Sequence, residues 1–302
     1  MSVAMNTAGD GSGRLTDHPV APLVAPPVAS LVASRVASPA QTAVALPVSD
    51  AVEVLNPHRA GPVVILCEHA SNHIPARYAG LGLSATDAAS HAAWDPGAIE
   101  VASLLSDALD APVIAGKISR LVYDCNRPPS EASAMPATSE LIVVPGNQTL
   151  TATDRLERET SVYRPFCAAV DAVLRGRAAQ KLPTVLLTVH SFTPVYFGLT
   201  RAVEIGILHD QDSRMADAML ARAHLLGHRR IERNAPYGPQ DGVTHSLRVH
   251  GKRYGLPSVM IEVRSDLLQD PAAVSAITAE LMTMIKPALQ DLRDVKTGAT
   301  NA

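Results

Sequence analysis

Short apolar runs alternate with segments of helical spacing along most of this chain. From about residue 61 onwards the candidate strands are residues 63–67, 112–115, 121–123, 184–189, 203–208 and 259–261. Between them, apolar residues recur every three or four positions, as at Ile99, Ala102, Leu105 and Leu109, which predicts amphipathic helices. This alternation is typical of an α/β domain. We assign residues 56–295 to it.

The first 55 residues show no such alternation. Residues 20–38 form an irregular repeat in which Val and Ala are followed by Pro or Ser. The prolines remove backbone donors and fix φ, which disfavours both a long helix and a central strand. We therefore predict that residues 1–55 are a low-complexity, disordered or extended tail. Because the repeat is apolar, the alternative is that this segment packs along a groove or mediates assembly.

Composition argues against a nucleic-acid-binding protein, a disulfide-rich protein and a membrane protein. The net charge of -3 gives no reason to expect a nucleic-acid partner. The three cysteines, Cys67, Cys125 and Cys167, are odd in number, widely spaced and without a CxxC pair, which indicates reduced thiols rather than a disulfide framework or a thiolate zinc site. No apolar run approaches the roughly 20 residues that span a bilayer, and the N-terminus lacks the pattern of a signal peptide. We expect a soluble, cytoplasmic protein with no membrane partner.

Three candidate strands lead into side chains that can bind metals or carry protons. His69 follows the run at 63–67, His190 follows 184–189, and Glu262 follows 259–261. In open α/β sheets, ligands bind just beyond the carboxyl ends of the strands. Two imidazoles with an acidic ligand and an open water position form the arrangement of catalytic zinc, with a nearby carboxylate as base. The plain alternatives are hydrogen-bonded structural histidines and an ion pair between Glu262 and Arg264.

Residues 119–129, SRLVYDCNRPP, add a candidate anion site. Arg120, Asn126 and Arg127 flank one predicted strand, and their planar donors suit a carboxylate. Arginine on an exposed strand edge is also commonplace, so this segment alone decides nothing. A metal site beside such a clamp is what the hydrolysis of an acylated amino acid requires.

Five stretches, in order, resemble the N-formylglutamate amidohydrolase family: CEHASNHIP (67–75), WDPGA (94–98), SRLVYDCNRPP (119–129), TVHSF (188–192) and IEVRSDL (261–267). The resemblance covers about residues 61–290. It implies hydrolysis of N-formyl-L-glutamate to formate and L-glutamate, in histidine degradation. The family is similar to zinc carboxypeptidases, which implies a single α/β domain with a mixed, largely parallel central sheet flanked by helices.

The resemblance also implies a role for each matching position. His69 and His190 match the zinc histidines, Glu262 the catalytic base, and Asn126 with Arg127 the pair that binds the substrate α-carboxylate. Arg120 or Arg264 would meet the side-chain carboxylate, with pairing to Asp266 as the alternative for Arg264.

The third zinc ligand departs from the pattern of zinc carboxypeptidases. Those enzymes carry a Glu three positions after the first His, where this chain has Asn72. We expect Asp95, in the WDPGA stretch, to be the third ligand. Glu68, His73 and Asn72 remain alternatives, and a helix N-cap is the competing role for Asp95.

Together these features predict a zinc-dependent amidohydrolase of a small N-acyl amino acid, with N-formyl-L-glutamate as the expected substrate. One alternative is a related deacylase or peptidase with another substrate, because pocket loops decide that choice. The other is a non-catalytic carboxylate-binding protein of the same fold, for which Asn72 is the main support.

Overall fold

The computed structural model describes residues 49–300, with side chains described up to residue 294. The strands are β1 (Val52–Leu55), β2 (Val63–Cys67), β3 (Val113–Gly116), β4 (Thr138–Ser139), β5 (Ile142–Val143), β6 (Val185–Phe192), β7 (Val195–Tyr196), β8 (Leu199–Thr200), β9 (Ile205–Leu208), β10 (Ile231–Arg233) and β11 (Ser258–Arg264). The α-helices are α1 (Ala85–Ala89), α2 (Ala98–Leu109), α3 (Ala152–Arg158), α4 (Arg164–Ala179), α5 (Arg214–Leu220) and α6 (Pro271–Thr300).

Seven strands form the central sheet, in the order β1-β3-β2-β6-β11-β9-β10. The four middle strands β3, β2, β6 and β11 are parallel to one another. At one edge β1 runs antiparallel to β3, and at the other β9 runs antiparallel to β11 and carries β10 parallel to itself. The predicted mixed, mainly parallel sheet flanked by helices is confirmed. Two small hairpins, β4–β5 and β7–β8, lie outside the sheet.

The two faces of the sheet differ at the carboxyl ends of the parallel strands. One face is apolar along its length, with Ile65, Leu187 and Ile261 packed into a cluster that includes residues of α2, α5 and α6. The other face begins apolar, as at Leu186 against α4, and becomes polar towards the strand ends. On β6 the side chains pointing this way are Leu186, Thr188 and His190, and on β11 Met260 is followed by Glu262. Because successive side chains of a strand point to opposite faces, the polar side chains lie together on one face of the sheet, at the carboxyl ends of the parallel strands.

Helix α6 is long and apolar enough, by composition, to cross a membrane over Pro271–Asp294. Its apolar stripe is nevertheless buried in the cluster on the first sheet face, at Ile277, Leu281 and Ile285. It therefore packs as a core helix does.

Two features differ from the sequence expectation. The predicted strand at residues 121–123 is wrong: these buried residues form a turn, because Leu121 N and Val122 N donate to Ser119 Oγ (3.2 Å) and Ser119 O (2.9 Å) rather than to a neighbouring strand. Within the predicted tail of residues 1–55, Val52–Leu55 form edge strand β1. Residues 1–48 lie outside the described residues.

Candidate active site

Three segments bring His69, Asp95 and His190 together at the polar end of the sheet. His69 lies in the turn after β2, His190 near the end of β6, and Asp95 in the loop before α2, where its N–H donates to the His69 carbonyl (3.0 Å). Gly97, with φ of 81°, is the N-cap of α2, so the competing capping role of Asp95 is not observed. A side chain at Gly97 would meet Leu268, since a Cβ there would lie 2.5 Å from the Leu268 Cβ.

The three side chains converge through one atom each. Asp95 Oδ2 lies 2.8 Å from His190 Nδ1 and 3.2 Å from His69 Nδ1, and the two Nδ1 atoms are 3.2 Å apart. Ligand atoms about 2.1 Å from a tetrahedral zinc would be separated by roughly 3.4 Å, close to this triangle. All three residues are buried. The donor set therefore fits a divalent metal held by two imidazoles and one carboxylate.

A second carboxylate stands behind each imidazole. Asp124 Oδ1 is 2.7 Å from His69 Nε2, and Glu68 Oε2 is 3.3 Å from His190 Nε2. The Glu68 contact is not aligned as a hydrogen bond, so His190 Nε2 and both Glu68 oxygens are buried without a hydrogen-bond partner. Carboxylates in these positions orient metal-binding histidines. Glu68 approaches Nε2 of His190, whereas the triangle uses Nδ1, so the structure places Glu68 behind the candidate ligands.

The electrostatics of this cluster favour a bound cation. Burial alone would raise the pKa of Asp95, but the charges of His69 and Arg120 hold that pKa well below its usual range. Burial likewise opposes the charge on His190, yet Glu68 and Asp95 raise the pKa of its imidazole well above the usual value. Arg120 is a permanent cation in contact with the cluster, 3.0 Å from Asp95 Oδ1 and 3.4 Å from Asp124 Oδ2. Three buried carboxylates, Asp95, Asp124 and Glu68, thus surround the two imidazoles.

Glu262 faces the same cavity from the neighbouring strand. It is in register with His190 across the β6–β11 pair and is 5% exposed. Its carboxylate makes no hydrogen bond or ion pair with another described residue. Burial, reinforced by the charge of Asp95, raises the pKa of Glu262 to about 7 against the opposing effect of His190. A carboxyl group with a pKa near neutrality can both accept and return a proton.

These residues open onto a cavity of about 480 Å³, a size typical of small-molecule sites. Its wall is mainly polar and includes His69, His91, Asp95, Arg120, Asn126, Arg127, Glu140, His190, Tyr196, Arg201, Tyr237, Asp241 and Glu262. A larger, more apolar groove of about 970 Å³ lies beside the start of α2 and α6 and contains none of the candidate site residues.

Three of the predicted substrate-binding residues, Arg120, Asn126 and Arg127, line this cavity. The Asn126 amide is already engaged, because Nδ2 donates to Val243 O (2.5 Å) and Oδ1 accepts from Ser246 N (3.0 Å). Arg127 donates only to the carbonyls of Asn126 (2.9 Å) and Gly242 (3.3 Å) among the described residues. Arg127 is therefore the cation of this segment that remains open to an anion.

Three other candidates lie elsewhere. Arg264 does not line the cavity; its Nε donates to Asp266 Oδ1 (2.7 Å), which is the alternative role expected for it. Asn72 and His73 are exposed, and Asn72 donates to the Ala88 carbonyl (3.2 Å). Asp95 takes the third corner of the triangle instead. The substitution at Asn72 therefore no longer argues for a non-catalytic protein.

Sequence reasoning missed two parts of the site. Asp124 lies inside the SRLVYDCNRPP stretch, four residues after Arg120, so its position next to a predicted clamp was a usable signal. Arg201 and Tyr237, which also line the cavity, come from irregular segments. The segment that carries Tyr237 packs closely on β9 at Ala235, because a Cβ at Gly206 would lie 2.0 Å from the carbonyl oxygen of Ala235. No periodic pattern marks such a contact.

Comparison with known proteins identifies the family. The chain matches the model of the N-formylglutamate amidohydrolase family over residues 61–269. The crystal structure of a gene product from Agrobacterium tumefaciens is 49% identical, with a TM-score of 0.79 and coverage of 80% of this chain and 96% of that chain. N-formylglutamate amidohydrolase from Ralstonia eutropha JMP134 is 15% identical, with a TM-score of 0.60 and coverage of 81% and 99%, and shares the fold. The chain matches no curated protein.

Proposed function

This chain belongs to the N-formylglutamate amidohydrolase family, and on that premise we propose that it is a zinc-dependent enzyme that hydrolyses N-formyl-L-glutamate to formate and L-glutamate. This reaction would place it in histidine degradation. One observation carries the proposal: two imidazole nitrogens and a carboxylate oxygen converge, buried, beside the unpaired carboxylate of Glu262.

His69, Asp95 and His190 would hold the metal. A zinc ion there supplies Lewis acidity, which polarises an amide carbonyl and makes water a better nucleophile at neutral pH. Asp124 would keep the His69 ring oriented from behind, and the Glu68 carboxylate stands 3.3 Å behind the His190 ring. Arg120 holds Asp95 and Asp124 in place through its two contacts.

Glu262 would carry the proton. Its carboxylate accepts a proton from the water whose oxygen attacks the formyl carbon. When the carbon–nitrogen bond breaks, the same proton passes to the leaving amine. A buried carboxyl group with a pKa of about 7 and no ion-pair partner suits both halves of this transfer.

Arg127 would orient the substrate by its α-carboxylate. Its guanidinium is held by two backbone carbonyls and pairs with no carboxylate among the described residues, which leaves donors for a bidentate contact. A fixed α-carboxylate places the adjacent amide at a constant distance from the reacting groups, which is how positioning raises the rate.

Formate release by the purified protein tests the proposal. We expect activity with N-formyl-L-glutamate that is lost on chelation and restored by zinc, with about one zinc per chain. Absence of bound metal, with no response to added zinc, would refute the metal assignment. A panel of N-formyl and other N-acyl amino acids on the same sample decides between this substrate and that of a related deacylase or peptidase.

A cytoplasmic location is part of the proposal. It is supported by the three cysteines, which are all unpaired, Cys67 and Cys125 being buried.

A further inference from the structure

Two arginines on the cavity wall, Arg127 and Arg201, form no ion pair by direct contact with any described residue, although the charge of Arg127 helps to lower the pKa of Asp124. The third, Arg120, lies between Asp95 and Asp124. A guanidinium that is partly removed from water and has no counter-ion is unfavourable unless a ligand brings the negative charge. The wall therefore offers two cationic positions to a substrate.

Apart from Asp95 and Glu262, which belong to the candidate reaction centre, the acidic residues lining the cavity are Glu140 and Asp241, and both are already hydrogen-bonded elsewhere. Glu140 Oε2 is 2.8 Å from His91 Nε2, and Glu140 Oε1 accepts from the N–H of Phe197 (2.7 Å). Asp241 Oδ2 accepts from the N–H of Gly238 (2.8 Å). Glu140 is thus engaged by two other segments of the chain, and Asp241 by its own loop.

Arg201 is held by aromatic rings. Its guanidinium carbon lies 4.3 Å from the centre of the Tyr196 ring, 4.7 Å from that of Tyr237 and 5.6 Å from that of Phe192. Its Nη1 donates a long hydrogen bond, 3.4 Å, to the Thr193 carbonyl. Cation–π contacts use the face of a guanidinium and leave its N–H edge available. The rings thus hold a planar fork of donors, part of which is used by the Thr193 carbonyl and by the Tyr237 side chain, and the remaining N–H groups suit a carboxylate.

The two arginines are fixed by different parts of the chain. Arg127 is tied to the carbonyls of Asn126 and Gly242, whereas Arg201 is enclosed by the segment after β6 and by Tyr237. Both line one cavity of about 480 Å³. A substrate with a single carboxylate needs only one of them. We propose that Arg201 binds the side-chain carboxylate of the substrate and selects N-acyl amino acids that carry two carboxylates; this inference rests on the proposed function.

The sharpest test compares N-formyl-L-glutamate with N-formyl-L-glutamine, which has the same shape without the distal charge. For Arg201→Gln we expect kcat/KM with the glutamate substrate to fall about 100-fold, as for loss of one partner of a desolvated charge pair. Activity with the glutamine substrate should change only a few-fold, so the preference collapses. Arg127→Gln should instead lower both substrates by similar factors, because both carry the α-carboxylate.

Two controls separate binding from folding. Arg230→Gln, at an exposed arginine paired with Glu232, should change neither substrate. Arg201→Lys keeps the cation but not the planar fork, so it should retain part of the preference, whereas a folding defect would lower both substrates equally. The same variants are assayed for glutarate binding by calorimetry: Arg201→Gln should weaken glutarate binding but not the binding of propionate.

The outcomes are distinct. If the wild-type protein hydrolyses N-formyl-L-glutamate and Arg201→Gln keeps its preference over the glutamine substrate, the role of Arg201 is refuted and the proposed function stands. If the wild-type protein hydrolyses no N-formyl amino acid, the proposed function is refuted. Glutarate binding then decides on Arg201 alone: equal affinity in the wild type and Arg201→Gln overturns the inference.

Discussion

Two groups of residues that line the cavity, called here the reaction wall and the recognition wall, differ in how their charges are balanced. The reaction wall, made of His69, Asp95, His190 and Glu262, is buried, and its histidines and aspartate contact one another or a further carboxylate. The recognition wall, made of Arg127 and Arg201, is half-buried and has no carboxylate partner among the described residues. The charges of the histidines and the aspartate are thus balanced by neighbouring side chains, which fixes their geometry. The charges of Arg127 and Arg201 are left for a ligand to balance.

The two walls also differ in what holds them. His190 and Glu262 belong to neighbouring central strands whose backbones are paired on both sides, so the register sets their separation. Arg127 and Arg201 lie in segments between elements, where backbone geometry depends on local contacts. Loops accept sequence change more readily than central strands. A change of substrate can therefore arise at the recognition wall while the reaction wall stays the same.

The largest effect should come from the proton carrier of the reaction wall. Glu262→Gln should lower kcat about 1,000-fold, within the range for loss of a general acid–base group. Zinc content and Tm should stay near the wild-type values, because the Glu262 carboxylate makes no hydrogen bond that holds the fold. The matched control is Glu53→Gln, at an exposed position of β1. A parallel loss of zinc would instead make Glu262 a ligand.

Ile261, adjacent to Glu262, tests whether the stability of the sheet can be changed without changing the activity. Ile261 points to the opposite, wholly apolar face and is fully buried. Ile261→Ala should lower the free energy of unfolding by about 3 kcal/mol, as expected for a large-to-small change in a core. Formate release per folded molecule should remain close to that of the wild type. Urea unfolding measures the first and an active-site-normalised assay the second, with Leu225→Ala, at a position 57% exposed, as the control. A loss of turnover as large as that of Glu262→Gln would show that the faces are not separable.

Asp124, whose carboxylate lies behind His69, tests whether residues outside the reaction wall contribute to zinc affinity. Asp124→Asn replaces the acceptor 2.7 Å from His69 Nε2 and weakens the contact with Arg120. Zinc affinity should fall about 10- to 100-fold, the usual range for such partners. Competition with a fluorescent chelator measures this, and excess zinc should restore most of the activity. Unchanged affinity would mean that Asp124 serves only to place Arg120.

Glu68→Gln should have a smaller effect on zinc affinity, about a few-fold. Its carboxylate lies 3.3 Å from His190 Nε2 without the alignment of a hydrogen bond. The same chelator assay, run beside Asp124→Asn, ranks the two carboxylates. The reverse order would make Glu68 the stronger support of the metal site.

The smallest effect concerns pH. Burial lowers the pKa of His250, in a π-helical segment packed against β6 and β11, to about 4. An unfolded histidine has a pKa of about 6.5, so between these values the unfolded chain binds more protons. The contribution of His250 to stability is therefore complete above pH 6.5 and is lost as the pH falls towards 4. His250→Gln should flatten this part of the curve of unfolding free energy against pH; an equal slope in both proteins would contradict it.

Much of this molecule could be predicted from local patterns. Apolar runs of strand length located β2, β6 and β11, and the polar residues just after these runs include His69, His190 and Glu262. Such runs are informative because strands buried on both faces have no polar positions except where function requires them. The resemblance of WDPGA to its family added Asp95, which periodicity alone would have left as a helix cap.

The sequence by itself thus determined five of the seven strands of the sheet, the family and the residues near the strand ends, because burial and strand register act over a few residues. Only the tertiary structure decided which groups meet: Asp124 behind His69, Arg201 within its three rings, and Arg264 outside the cavity beside Asp266. These contacts join segments distant in the chain, and their geometry is set by how loops close over the sheet. Of the recognition wall, Arg127 was predicted from the sequence, whereas Arg201 was not, because no periodic pattern marks its contacts with the three rings.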